Sequence, residues 1–349
     1  MKAMERANHL RLIEQLDLPP TDPPFEIAAE RYLSPTQLDR ERPLFRGPRI
    51  ATIASAIAPG SCVPIGSAIV VRDAGGELRA FENACRHRGT RLVDAPCAAK
   101  AFVCPYHGWT YDATGALIHV PHEATFAGLD RHARGLVPVP VAERHGLVWL
   151  GGEPAAELDG DLAAIGFDRH VVWRTARVTR RCNWKLVVEA FLDGYHIRVL
   201  HRDSIYRFFL DAQSTAEAAG PHIRAISGRR TMREGGEELR ALATPSYLVF
   251  PATVIIEHPD FVSILALSPI APELTEWTHT MVIPAERVGE VDHWNRSWQL
   301  IEEMVFQRED LWVCEQIQQS LSARSTDRLL FGSLENAIGW FHASIDRMT

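Results

Sequence analysis

Hydrophobic and polar positions along this chain change rhythm three times. Near the start, Leu10, Leu12, Ile13 and Leu16 recur at helical spacing, and the prolines at 19, 20, 23 and 24 end that run. Ser34-Pro35-Thr36-Gln37 offers a second helix start, with Ser34 as N-cap and Pro35 at the first helical position. From about 45 to 155, short β-type runs take over: 68–71, 78–81, 101–103 and 147–150. Turn sequences such as Asp73-Ala74-Gly75-Gly76 separate them. Beyond 155 the reading is a strand over 172–179, a helix over 184–200, and an antiparallel meander of strands 248–256, 261–267 and 277–283. One long helix follows over 294–321. The chain thus reads as α+β: a helical N-terminal segment (1–44) packing on the C-terminal domain, a small all-β domain (45–155), and an α+β domain (156–349).

Composition narrows the function classes. The 349 residues carry a formal charge of −7, which argues against phosphate neutralisation and hence against a nucleic-acid partner. No apolar run approaches the ~18 residues of a membrane span. Met1-Lys2-Ala3-Met4-Glu5-Arg6 leads towards Glu14 and Asp17 rather than an apolar stretch, so a cytoplasmic location is expected. In a reducing compartment the six cysteines read as buried thiols or metal ligands rather than three disulfides.

Two of those cysteines stand in matching loops. Cys85-Arg86-His87-Arg88-Gly89 is followed by Cys104-Pro105-Tyr106-His107-Gly108-Trp109, each loop supplying one thiolate and one imidazole. Two thiolates and two imidazoles are what a Rieske [2Fe–2S] centre needs, with Cys₂ on one iron and His₂ on the other. A Cys₂His₂ zinc site is the competing reading, although such sites pair Cys with Cys and His with His locally. Cys62, Cys97, Cys182 and Cys314 lack a comparable partner and read as small core residues.

In these loops the chain resembles the aromatic-ring-hydroxylating Rieske oxygenases. The resemblance extends into the last domain, where Asn183-Trp184-Lys185 precedes Asp193-Gly194-Tyr195-His196 and His201. That stretch matches the family's mononuclear-iron motif, Asp-x-x-His-x-x-x-x-His. Two imidazoles and one carboxylate form the facial triad of non-haem Fe(II) oxygenases and leave positions open for O₂. Residues five apart lie about 140° apart around an ideal helix, so the helix is expected to end or bulge between His196 and His201. The resemblance places the carboxylate on a distant C-terminal helix. There Asp310 falls on the apolar stripe of Phe306, Val313, Cys314, Ile317 and Leu321, where a carboxylate needs a partner. Glu303 is its rival, and Glu309 falls off the stripe and reads as solvated.

The resemblance further implies that Asp193 links His196 to the Rieske histidine His107 of a neighbouring copy, and that the chain is a terminal oxygenase α subunit. It implies a helix-grip catalytic domain, a ring-shaped homotrimer with or without a β subunit, and electrons from a separate ferredoxin or NAD(P)H-dependent reductase. No Gly-x-Gly-x-x-Gly nucleotide motif appears in the chain itself. Glu189 occupies a position where naphthalene-type members carry Asn, and is expected to hydrogen-bond around the iron site or face a subunit interface. The substrate expected is a small aromatic compound to be hydroxylated or cis-dihydroxylated. The alternative is oxidative demethylation of a quaternary ammonium or methoxy compound. Ile205, Tyr206, Phe208, Phe209, Leu210 and strand residues 254–256 and 264–267 are candidate pocket walls. Arg202, Arg207 and Arg224 are candidate carboxylate binders.

Overall fold

The computed structural model describes residues 7–18, 22–154, 156–234 and 238–349. The readings of Met1–Arg6 and of the Pro19-Pro20 stop lie outside the described residues. The chain divides into two compact units, 47–154 and 1–46 with 155–349. No helix among the described residues is long and apolar enough to cross a membrane.

The smaller unit is built from short antiparallel strands. Ser61–Ile65, Ala68–Arg72 and Leu78–Glu82 form one sheet with Cys97–Ala98; Arg49–Ile53, Val141–Arg144 and Leu147–Leu150 form a second. Ala101–Val103, Thr110–Asp112 and Leu117–His119 form a third. The predicted runs at 68–71, 78–81, 101–103 and 147–150 all lie within observed strands. Ile69, Val71, Phe81, Phe102, Trp109 and Tyr111 bury a core around the two Cys/His loops.

The larger unit is organised on one seven-stranded antiparallel sheet. Its strands are β1 (His170–Arg180), β2 (Phe209–Ala219), β3 (His222–Arg229), β4 (Ala243–Val249), β5 (Thr253–Glu257), β6 (Val262–Ala271) and β7 (Leu274–Pro284). Their order is β1-β7-β6-β5-β4-β3-β2, a meander whose first strand closes on its last. The sequence reading missed β2 and β3. The run Asp211-Ala-Gln-Ser-Thr-Ala-Glu-Ala-Ala219 shows no alternation of apolar and polar residues, and β2 is an edge strand needing little of it. The single strand expected over 248–256 is two, because the chain turns at Phe250–Ala252 around Pro251.

Helices pack on this sheet through Trp184, Trp277, Trp294 and Phe341. Ser34 does cap the helix Pro35–Glu41, its hydroxyl accepting from the Gln37 amide at 3.2 Å. Glu41, at the end of that helix, is fully buried and anchors the start of α1 (Trp184–Leu192). It accepts from Trp184 Nε1 at 2.9 Å and from the buried Lys185 ammonium at 2.8 Å. Asn183 caps α1 by accepting from the Lys185 amide at 3.0 Å. The Asn-Trp-Lys triplet is therefore a mount that fixes the helix leading to Asp193 and His196. Glu189 is part of the same core, hydrogen-bonded to the Tyr32 hydroxyl at 2.9 Å and His342 Nε2 at 2.7 Å. Neither bond is to His196 or His201, unlike the first of the two roles expected of it.

Candidate active site

The helix predicted over 184–200 is not continuous. It ends at Leu192, and Asp193 adopts an extended conformation (φ −108°, ψ 122°). A one-turn helix, α2 (Ile197–Leu200), follows, with His196 just before it and His201 just after. The longer helix thus breaks before His196, and the one-turn helix ends at Leu200, between the two histidines as expected. Gly194 permits it: a Cβ there would stand 2.1 Å from Ser214 Oγ on β2. With the histidines on either side of a single turn, both rings reach one point. Their Nε2 atoms are 3.1 Å apart.

The carboxylate arrives from an unusual helix. The helix α3 (Val291–Trp298) runs through a π-helical segment, Gln299–Asp310, into α4 (Leu311–Ser322). Asp310 is buried at the end of that segment, its Oδ1 3.2 Å from His201 Nε2 and 3.5 Å from His196 Nε2. Glu303, the rival, is exposed. Glu309, expected in solvent, instead accepts from His201 Nδ1 at 2.7 Å and from the Ser204 hydroxyl at 2.7 Å. The wider i→i+5 turn brings adjacent residues closer in angle than the ~100° of an α-helix, so Glu309 and Asp310 both address the site. Asp193 Oδ2 holds His196 Nδ1 at 3.1 Å.

His196, His201 and Asp310 are a set of donors that could hold a metal ion. Donors ~2.1 Å from a metal and at right angles to one another lie about 3 Å apart, close to these separations. Asp310 Oδ1 is buried with no aligned hydrogen bond, as a ligand atom would be. Both imidazoles have an acid behind them, the arrangement that fixes ring orientation and raises ligand basicity. Burial disfavours the His196 imidazolium, but Asp193 and Asp310 outweigh it and lift its pKa to about 10. Burial likewise works against the Asp310 carboxylate, yet His201 and His196 hold its pKa below the ordinary value.

The two Cys/His loops share one backbone pattern. The Gly89 amide donates to Cys85 O at 2.8 Å and Gly108 to Cys104 O at 3.0 Å. Cys85 and Cys104 in turn donate to Thr90 O and Trp109 O, both at 2.8 Å. Gly89 (φ +82°) and Gly108 (φ +71°) supply the left-handed turns. The loops bring the Cys85 and Cys104 thiols together and the rings of His87 and His107 to 4.7 Å. Tyr111 Oη lies 3.4 Å from Cys85 Sγ, and Trp109 stacks on His87. Buried His87 Nδ1 has no hydrogen-bond partner, which suits a metal-binding nitrogen. Sulfurs on one side and imidazoles on the other fit a two-iron cluster rather than a single tetrahedral ion.

A cavity of about 330 Å³ opens on His196, His201 and Asp310. Ile205, Phe208, Phe209 and Ile256 line it as expected; Tyr206, Leu210, residues 254–255 and 264–267 do not. Phe191, Phe261, Phe306, His258 and Arg229 line it and were missed. Phe306 lies four residues before Asp310 and Phe191 two before Asp193, a proximity that could have flagged both. Of the three candidate arginines, Arg202 and Arg207 are exposed, and Arg224 is buried in ion pairs with Asp161 and Glu217.

Residues 167–349 match the family described as the ring hydroxylating alpha subunit (catalytic domain), and residues 57–139 match the Rieske [2Fe-2S] domain. Choline monooxygenase, chloroplastic, of Spinacia oleracea is 25% identical over 95% of this chain and 80% of its own. The chlorobenzene dioxygenase subunit alpha of Cupriavidus sp. (strain PS12) is 36% identical over 44% of this chain and 38% of its own. Among solved structures, the quaternary ammonium Rieske monooxygenase CntA covers 96% of this chain and 98% of its own, with TM-score 0.81 and 19% identity. Naphthalene 1,2-dioxygenase from Rhodococcus sp. covers 99% of both chains, with TM-score 0.75 and 20% identity. The family match across the catalytic domain, the Rieske match before it and the shared fold agree: this chain belongs to the ring-hydroxylating α subunits, the Rieske non-haem iron oxygenases that use a [2Fe–2S] cluster, a mononuclear iron and O₂.

Proposed function

We propose that this chain is the terminal oxygenase for a quaternary ammonium compound, with His196, His201 and Asp310 as iron ligands and Cys85, His87, Cys104 and His107 as cluster ligands. The observation behind the substrate is the extent of alignment: the choline monooxygenase aligns over 95% of this chain, whereas the chlorobenzene dioxygenase subunit alpha aligns over 44%. The cavity is compatible with this choice, because Phe191, Phe261 and Phe306 line it, and aromatic rings attract methylated ammonium groups.

The cluster supplies electrons one at a time, and the iron supplies O₂ activation. The chain's own residues do the rest. Asp193 and Glu309 hold the two imidazoles in the orientation that leaves Nε2 free for metal. The apolar lining keeps bulk water from the reacting carbon. Asp193, bonded to His196, extends towards His107 of a neighbouring copy in a homotrimer, with a ferredoxin or reductase as electron donor.

A substrate panel tests the reading. Purified protein with donor proteins is offered trimethylammonium compounds and aromatic hydrocarbons, and O₂ uptake is matched to product. The expected result is coupled oxidation of a trimethylammonium compound. Coupled formation of an aromatic diol, with ammonium compounds inert, would return the substrate to the aromatic class.

A further inference from the structure

One guanidinium lines the same cavity. Arg229, at the end of β3, is half-buried and lines the space that opens on His196, His201 and Asp310. Its hydrogen bond is to a neutral group, Nη1 donating to Thr244 Oγ1 at 3.2 Å. Its guanidinium lies over the rings of Phe208 and Phe209, at 5.7 and 5.5 Å from their centroids. No carboxylate among the described residues lies within ion-pair distance of it.

Arg224, which is buried, and Arg240, which is half-buried, differ in having carboxylate partners. Arg224 is clamped between Asp161 and Glu217, and Arg240 is paired with Glu257. A cation taken out of water without a partner is costly, so an unpaired guanidinium facing a cavity points to an anion supplied from outside. The surroundings agree. The cavity's carboxylates, Asp193 and Asp310, are committed to His196 and His201. His258, a further wall residue, is committed through Nε2 to Ser263 Oγ at 3.0 Å. Burial and the charge of Arg229 keep its imidazole neutral, so it adds no cation of its own.

We propose that Arg229 is the specificity-determining residue that binds a substrate carboxylate, so that the quaternary ammonium substrate is a zwitterionic betaine rather than an alcohol such as choline. This rests on the quaternary ammonium reading above. A bare trimethylammonium alcohol would leave Arg229 unpaired and bring a second positive charge into the cavity. A betaine neutralises Arg229 with its carboxylate and leaves its methyl groups to the phenylalanine faces. A planar guanidinium fork suits a carboxylate better than an ammonium does.

The test is calorimetric binding to the purified holoenzyme. The probes are γ-butyrobetaine, glycine betaine, choline and benzoate, with wild type, Arg229→Gln and Arg229→Lys. A betaine should bind the wild type at least tenfold more tightly than choline. Arg229→Gln should weaken that binding about 10- to 100-fold, while choline, relieved of a like charge, should bind no more weakly than before. Arg229→Lys should recover part of the loss, and an unchanged mononuclear iron content shows that the larger unit folds in both variants. Choline binding as tightly as the betaines, or no Arg229-dependent binding by any probe, overturns the proposal. Arg229-dependent binding of benzoate alone would sink the quaternary ammonium reading and still support Arg229 as the carboxylate anchor.

Discussion

Asp193 shows how much one side chain can join. Its Oδ2 orients His196 through Nδ1, and its Oδ1 accepts from the Tyr195 amide at 2.5 Å. If it also reaches the neighbouring copy's His107, its loss should separate two effects. Asp193→Ala should keep the cluster absorbance and three irons per chain, and slow electron transfer from cluster to mononuclear iron about 10- to 100-fold. Rapid-mixing spectroscopy of a single turnover reads this as a stalled reoxidation of the cluster. Reoxidation at the wild-type rate would remove Asp193 from the electron route. At this scale the sequence was legible where spacing met a familiar motif: the structure brings His196, His201 and Asp310 together. It was illegible for Glu309 and Arg229. A regular helix places Glu309 off the buried stripe, and Arg229 sits on a strand without an alternating pattern. Its character depends on the absence of a partner, which no sequence pattern displays.

The elements that carry the site are irregular where they meet it. The break after α1 and the π-helical segment Gln299–Asp310 both depart from the α-helix that periodicity predicts. Each departure turns a second acid or imidazole inward: His196 in the first case, Glu309 in the second. Periodicity gives the helices their place, and tertiary packing decides where they deform. Gly194 makes the first deformation sterically affordable, since its missing Cβ is the space Ser214 fills. Gly194→Ala should push Ser214 or the 193–196 turn aside and displace His196. The expected outcome is loss of mononuclear iron with the cluster absorbance retained, and turnover down about 100-fold. Iron analysis beside the visible spectrum checks it; full iron content and full activity would show that the turn relaxes freely.

At the scale of the whole molecule, two units each assemble a site from paired signals. In residues 47–154, two loops with the same backbone hydrogen bonds present Cys85, His87, Cys104 and His107. In the larger unit, the meander supplies one wall of the cavity, and α1, α2 and the π-helical segment supply the donors. Of the six cysteines that composition left undecided, none is in a disulfide, and Cys85 and Cys104 are the two that the matching loops bring together. We propose that His196, His201 and Asp310 would hold the iron, and that a quaternary ammonium compound is oxidised beside them. A single turnover of chemically reduced protein with γ-butyrobetaine and ¹⁸O₂, comparing wild type with Asp310→Ala, tests this. The expected result is oxidised product approaching one per mononuclear iron in the wild type, and none from a variant that keeps its cluster spectrum but loses the third iron. Equal product from Asp310→Ala would contradict it.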